Sequence, residues 1–244
     1  MRLFIILLLL VLPLNLVAQL PGFQVFTPEL SGTLHLGLVI GEKSSWLNQN
    51  TDVQIKGKKQ ESTYSVNHPL LQNGRLTIIV KPLLDAPGFV LKVEGFALPD
   101  SIMLFWAFGG CLGDTVRVNK NQSMINPEYC KDNVFSIEGH AFTVYYGTSR
   151  RLQILSALTP PGSEICLSDA HQQVTPLTFF GSGKKTDAPA LAAMVPLTSG
   201  EPVYFCFYKQ NPKADYNYFM MPRLFEKGSY EVHTDSNWMK STPD

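Results

Sequence analysis

Apolar and polar positions along this chain alternate with a period of two far more often than they recur at helical spacing. Thr33 to Ile40 (TLHLGLVI) places Leu34, Leu36 and Leu38 on one face, the pattern of a half-buried strand, and leaves His35 on the polar face. Val53 and Ile55 in TDVQIKG, and Tyr64 and Val66 in STYSV, mark shorter and more polar strands suited to a sheet edge. Arg75 to Leu84 and Gly88 to Leu98 are two strong strands joined through the turn signal DAPG. Ile102 to Gly110 (IMLFWAFGG) is almost continuously apolar, which predicts a strand between two layers. NVFSIEG and AFTVYYG flank Gly139-His140, a two-residue hairpin turn, and RLQILSAL, TPLTFFG, LAAMVPL and PVYFCFYK add strand-like segments. Helical spacing is scarce: LSDAHQQ reads as one turn capped by Ser168, and PKADYNYFMMPRLFEKG as a short helix limited by Pro222. Many short strands and few short helices predict an all-β chain, an antiparallel β-sandwich.

Composition narrows the partners. The 244 residues allow a sizeable core, and 20 Lys+Arg balance 20 Asp+Glu. Neither nucleic acid nor an anionic membrane surface is therefore expected, since both call for a basic excess. The N-terminus changes the address: Arg2, the apolar run Leu3 to Leu12 and the small-residue stop at Val17-Ala18 predict a signal peptide over 1–18. Pro13 and Asn15 interrupt the run too early for a membrane span. The mature protein is expected in the periplasm or outside the cell, with no membrane association after cleavage. A sandwich domain is expected over 19–226. The polar ending predicts that 227–244 is a linker to a downstream domain outside this sequence.

Export makes Cys111, Cys130, Cys166 and Cys206 eligible for disulfides. Cys111 and Cys130 flank one loop, and spacing leaves both a bridge and two thiols open there. Cys166 and Cys206 read as packing residues. Hydrolysis of a glycosidic bond needs two carboxyl groups at a set separation. Asp85 and Asp100 fall in turns, and Glu94 and Glu138 point outward on strands; Asp114 and Asp132 are the weak catalytic pair that remains, with no spacing rule behind it. His35, His68, His140, His171 and His233 form no HxxxH or HExxH pattern, so no metal site is expected, and no cofactor motif stands out. His35 and His140 read as surface residues. Asp169 and His171 in SDAH are half of a triad without a nucleophile elbow, and GSGKK lacks the spacing of a phosphate loop. Trp106 reads as core. Trp46 in SSWLNQN, with Tyr216 and Tyr218 in DYNYF, stands in polar company: these three either stack on sugar rings or cap the sandwich against a neighbouring domain.

Three stretches taken together resemble a known family. WAFGGCLGD (106–114), NPEYCKDNVFSIEGHAFTVYYG (126–147) and TPPGSE before SDA are similar to the N-terminal domain of large exported Bacteroidota proteins, a domain of unknown function. In that family a β-sandwich precedes an α/α toroid of the six-hairpin glycosidase kind. The resemblance covers about Phe26 to Trp238. It departs at Cys111, Leu112 and Gly113, where the family pattern has a small residue, a further glycine and polar residues, and in a short loop before NPEYC. It implies a non-catalytic sandwich domain of an exported glycoside-hydrolase-like protein, partnered in cis or in trans by a catalytic toroid that this chain does not contain. The residues themselves keep two other readings open: a stand-alone carbohydrate-binding module with a glycan as partner, and a glycoside hydrolase in its own right. In the scaffold reading, AFGG is a buried strand ending in a tight or left-handed turn.

Overall fold

A computed structural model describes residues 24–26, 32–49, 51–58, 61–83, 87–112, 124–148 and 151–209. The strands in chain order are β1 (Gln24–Phe26), β2 (Thr33–Ile40), β3 (Lys43–Trp46), β4 (Asp52–Lys58), β5 (Glu61–Asn67), β6 (Arg75–Pro82) and β7 (Gly88–Phe96). They continue with β8 (Met103–Gly109), β9 (Val134–Glu138), β10 (Ala141–Thr148), β11 (Arg151–Leu158), β12 (Cys166–Asp169), β13 (Pro189–Pro196) and β14 (Val203–Lys209). One sheet has the order β1-β2-β8-β13-β12, with β3 paired to β2; the other runs β4-β5-β6-β7-β14-β11-β10-β9. Every strand pairing is antiparallel. The expected antiparallel sandwich is the observed fold. The polar β4 is an edge, and Glu138 pairs with Ala141 across a two-residue turn in which Gly139 has φ 61°.

The two sheets bury their facing sides against each other. Leu34, Leu36 and Leu38 of β2, Leu104, Trp106 and Phe108 of β8, and Leu191, Ala193 and Val195 of β13 meet residues of β6, β7, β10, β11 and β14. An aromatic chain runs through the middle. Trp106 stacks on Phe142 at 6.1 Å, Phe142 meets Phe108 at 5.2 Å, Phe108 meets Phe207 at 5.2 Å, and Phe207 stacks on Phe89 at 5.1 Å. Such contacts add about 1 kcal/mol each beyond the area they bury.

The six-stranded sheet is also covered on its other side. There Val39, Phe105, Ala107, Ala190 and Ala192 lie under Trp46, Ile125, Cys130 and Phe179. β2 was expected to be half-buried with His35 in solvent; instead both its faces are covered and His35 is 2% exposed. Another expectation gives way in the cover itself. TPLTFFG does not form a strand but the one-turn helix α1 (Pro176–Phe179). The Thr178 amide donates to the Thr175 hydroxyl at 3.1 Å, the Thr175 amide donates to the Thr178 hydroxyl at 2.9 Å, and Pro176 supplies a helical φ in the first turn. The capping box outweighs the β-favouring side chains and drives Phe179 into the interior. LSDAHQQ, read as a turn capped by Ser168, instead carries β12, because Ser168 pairs with Ala190.

AFGG ends β8 as the scaffold reading expected. A Cβ on Gly109 would sit 2.9 Å from the Ala190 Cβ, and Gly110 has φ 72°, a left-handed conformation.

His35 couples this architecture to pH. Its Nε2 is buried without a hydrogen-bond partner, and burial pulls the ring down to about pKa 4 from its ordinary 6.5. Protonation is then easier in the unfolded chain. The stability His35 contributes is present above pH 6.5 and is lost as pH falls toward 4, a loss of about 3 kcal/mol when complete. Urea midpoints between pH 7 and pH 4 should fall more steeply for the native chain than for His35→Leu. Parallel pH profiles for the two would contradict the assignment.

Candidate functional site

The residues that carry the family resemblance converge on joints between segments. Trp106 donates its indole N–H to the Ser163 hydroxyl of TPPGSE at 3.4 Å. Asn133 of PEYCKDN accepts from the Cys111 amide at 2.9 Å and donates to the Cys111 carbonyl at 2.7 Å and the Tyr129 carbonyl at 3.1 Å. It thereby acts as a piece of antiparallel backbone for the strand end after Gly110. Asn126 caps the 3₁₀ turn Pro127–Tyr129 by accepting from the Glu128 amide at 3.0 Å. In SDA, Ser168 is buried and accepts from the Gly181 amide at 3.3 Å. Asp169 accepts from the His171 amide at 3.0 Å and from the Thr186 hydroxyl at 2.8 Å.

A second amide clamp holds the outer cover down. Gln173 accepts from the Ile125 amide at 2.9 Å, donates to the Ile125 carbonyl at 2.7 Å, and also donates to the Ala170 carbonyl. Its own carbonyl accepts the Trp46 indole N–H at 3.0 Å. The Trp46 ring is in turn edge-on to Phe105 at 5.2 Å and Phe179 at 5.9 Å. Sequence reasoning missed Gln173. It stands in a polar run, and its partner Ile125 is 48 residues away.

Charge gathers beside this clamp, at the surface. Lys131 pairs with Glu128 at 2.7 Å; that bond, followed by the charges of Asp187 and Asp132, raises its pKa above the ordinary lysine value. His171 lies 3.2 Å from Asp187, with both side chains well exposed. Asp169 spends its carboxylate on a turn and faces His171 only through the backbone amide, so SDAH makes no Asp–His dyad. Among the described residues, no group of three or more His, Cys, Asp or Glu could hold a metal ion.

The sequence candidates separate as follows. Asp132 is exposed in the turn after Cys130, while Asp114, Tyr216 and Tyr218 lie outside the described residues. Trp46 is 1% exposed, so it presents no face to a sugar ring; the polar residues around it belong to β3 and the turn after it, while the tryptophan ring is buried. Cys111 and Cys130 are thiols in this structure, and Asn133 rather than a disulfide ties their segments together. Cys111 belongs to the cluster between the sheets and Cys130 to the outer one. Burial, and then the neighbouring Cys130, pushes the Cys111 thiol well above its usual range; burial pushes Cys130 up to about 12.

Fold and site define a two-sheet β-sandwich in which the marker residues lock loops onto a doubly covered sheet. The chain belongs to the family described as Domain of unknown function (DUF4450), whose model matches residues 27–229. The structure is similar to part of a bacterial glucoamylase crystallised as a complex with acarbose, with a TM-score of 0.46 and 11% identity. That similarity covers 75% of this chain and 27% of the glucoamylase chain, so this chain spans about a quarter of that protein's length. No curated protein matches the chain.

The two amide clamps make a stability prediction. Gln173→Ala strands the amide and carbonyl of buried Ile125, and Asn133→Ala does the same to Cys111, at about 2 kcal/mol for each substitution. Urea denaturation should show both losses. A loss under about 0.5 kcal/mol for either would mean that water or a neighbour replaces the clamp.

Proposed function

We propose that this chain serves as a non-catalytic β-sandwich domain of an exported glycoside-hydrolase-like protein, and that it works by packing against a catalytic α/α toroid. The observation that carries this reading is an apolar strip on the outer side of the eight-stranded sheet. Val134, Tyr145 and Ile154 lie directly opposite one another across β9, β10 and β11, and Leu152 sits two residues along on the same face. Val134 is 63% and Leu152 64% exposed. Contiguous apolar side chains on an exposed sheet face mark an interaction surface. The toroid as occupant rests on the resemblance of WAFGG, PEYCKDN and TPPGSE to their family.

Two features support a structural role over a chemical one. Trp106, Cys130, Asn133 and Ser163 of those stretches are engaged in clamps and core contacts. The tryptophan that a glycan-binding reading relied on is interior.

The expressed chain should turn over no polysaccharide or aryl glycoside and should show no retardation in polysaccharide gels. It should self-associate in sedimentation through the apolar strip, and Leu152→Lys with Val134→Lys should return it to a monomer. Added α/α toroid, encoded with or beside this domain, should form a complex that the same two substitutions abolish. Turnover that disappears in Asp132→Asn would establish a hydrolase instead. Retardation by a glycan would establish a binding module.

A further inference from the structure

The eight-stranded sheet ends at β9, and this edge lacks the devices that blunt the other strand edges. Among the described residues β9 pairs with β10 alone. A strand edge of this kind presents amides and carbonyls that a further strand can complete. Elsewhere such edges are guarded. β4 carries Asp52, Lys56 and Lys58, charges that resist a neighbouring strand. β1 and β3 run for only three and four residues. The open side of β12 is covered by the turn at Gly183–Lys185. There a Cβ on Gly183 would sit 2.7 Å from the Ser168 amide nitrogen, and the Ser182 hydroxyl accepts from the Asp169 amide at 2.9 Å. β9 (VFSIE) contains no lysine, arginine or proline, and its Val134 and Ile137 are 63% and 40% exposed.

The hairpin fixes which groups face outward. Glu138 and Ala141 flank the two-residue turn and so exchange both their hydrogen bonds; bonding to β10 then falls on Glu138, Ser136 and Val134. The amides and carbonyls of Phe135 and Ile137 point away from the sheet. We propose that this edge pairs antiparallel with β9 of a second copy, about a two-fold axis at Ser136. That register sets Phe135 opposite Ile137 of the second copy and Ile137 opposite its Phe135, so every outward amide and carbonyl of these residues meets its complement. The side chains select the same occupant. Phe135 lies on the core side, 6.3 Å from Phe142, and Ile137 stands opposite Phe142 on that side, so pairing extends the core across the axis and covers Ile137. On the outer side Ser136 meets Ser136 and Glu138 meets Val134, so no like charges oppose. The contact is small, and the apolar strip dominates self-association of the isolated chain. Pairing uses the edge of the sheet and not its face, so it is independent of what docks on Leu152.

Disulfide trapping of the expressed chain tests the register, with Leu152→Lys present throughout to weaken association through the strip. In the proposed pairing, positions 136 and 136, and 134 and 138, are non-hydrogen-bonded pairs with Cα atoms about 4.5 Å apart, within reach of a disulfide. Under mild oxidation Ser136→Cys should link to itself. Val134→Cys and Glu138→Cys should link poorly on their own and readily when mixed. Ile137→Pro removes an outward amide without breaking the ladder to β10, and it should slow linking at 136 by about tenfold or more. Ile137→Lys should have the same effect and stands in if the proline variant loses cooperative unfolding in urea. Absence of a link at 136 overturns the pairing. So does linking of Val134→Cys or Glu138→Cys on its own as fast as Ser136→Cys, or a rate at 136 that neither substitution of Ile137 changes.

Discussion

Strand β8 has water on neither side, and the rest of the molecule is arranged around that constraint. Leu104, Trp106 and Phe108 fill the space between the sheets, while Phe105 and Ala107 face the opposite way into a second cluster. The outer side is paved with small residues, Ala107, Ala190 and Ala192, and this leaves room for the large rings of Trp46 and Phe179 to lie over it. Those rings come from a hairpin and a single helical turn rather than from a third sheet.

A cover made of loops brings backbone amides and carbonyls into a place where water cannot reach them. Two side-chain amides solve that problem here. Gln173 supplies Ile125 with the donor and acceptor that a neighbouring strand would have given, and Asn133 does so for Cys111. Each clamp satisfies both polar groups of one residue, so neither tolerates a substitution that keeps only half of the amide. His35 is the exception in the same layer: its unpartnered ring nitrogen makes the doubly covered sheet sensitive to acid.

The same economy governs where chemistry is available. Ser168, Asp169, Asn126 and Asn133 hold turns and strand ends together, and at the surface Lys131 pairs with Glu128 and His171 with Asp187. The eight-stranded sheet offers outward, beside the ion pairs Lys81–Glu61 and Lys92–Glu94, apolar area that is open at Val134 and Leu152. The packing role proposed for the domain rests on that open area.

Alternation along each strand was enough to determine the sandwich. Leu34, Leu36 and Leu38, the continuous apolar run of β8 and the Gly139-His140 turn all report local facts about which side of a strand is apolar and where the chain reverses. Local facts also sufficed for the turn after β8, since Gly109 and Gly110 are the residues such a bend requires. What lies over a second face is not local. His35 reads as a surface residue because alternation sets it opposite Leu34, Leu36 and Leu38, and Trp46 because its sequence neighbours are polar; in the fold Trp46 lies edge-on to His35, and Phe179, from a distant part of the chain, lies against Trp46. TPLTFFG carried strand-like letters, yet its two threonines close a local capping box that turns the segment into a helical turn. Gln173 gave no signal at all, because a side-chain amide becomes a strand substitute only when the backbone it completes is brought to it. The sequence by itself determined the inward face of the long strands such as β2, β8 and β10; tertiary structure decided the other face and the short strands β3 and β12, because burial there depends on segments far apart along the chain.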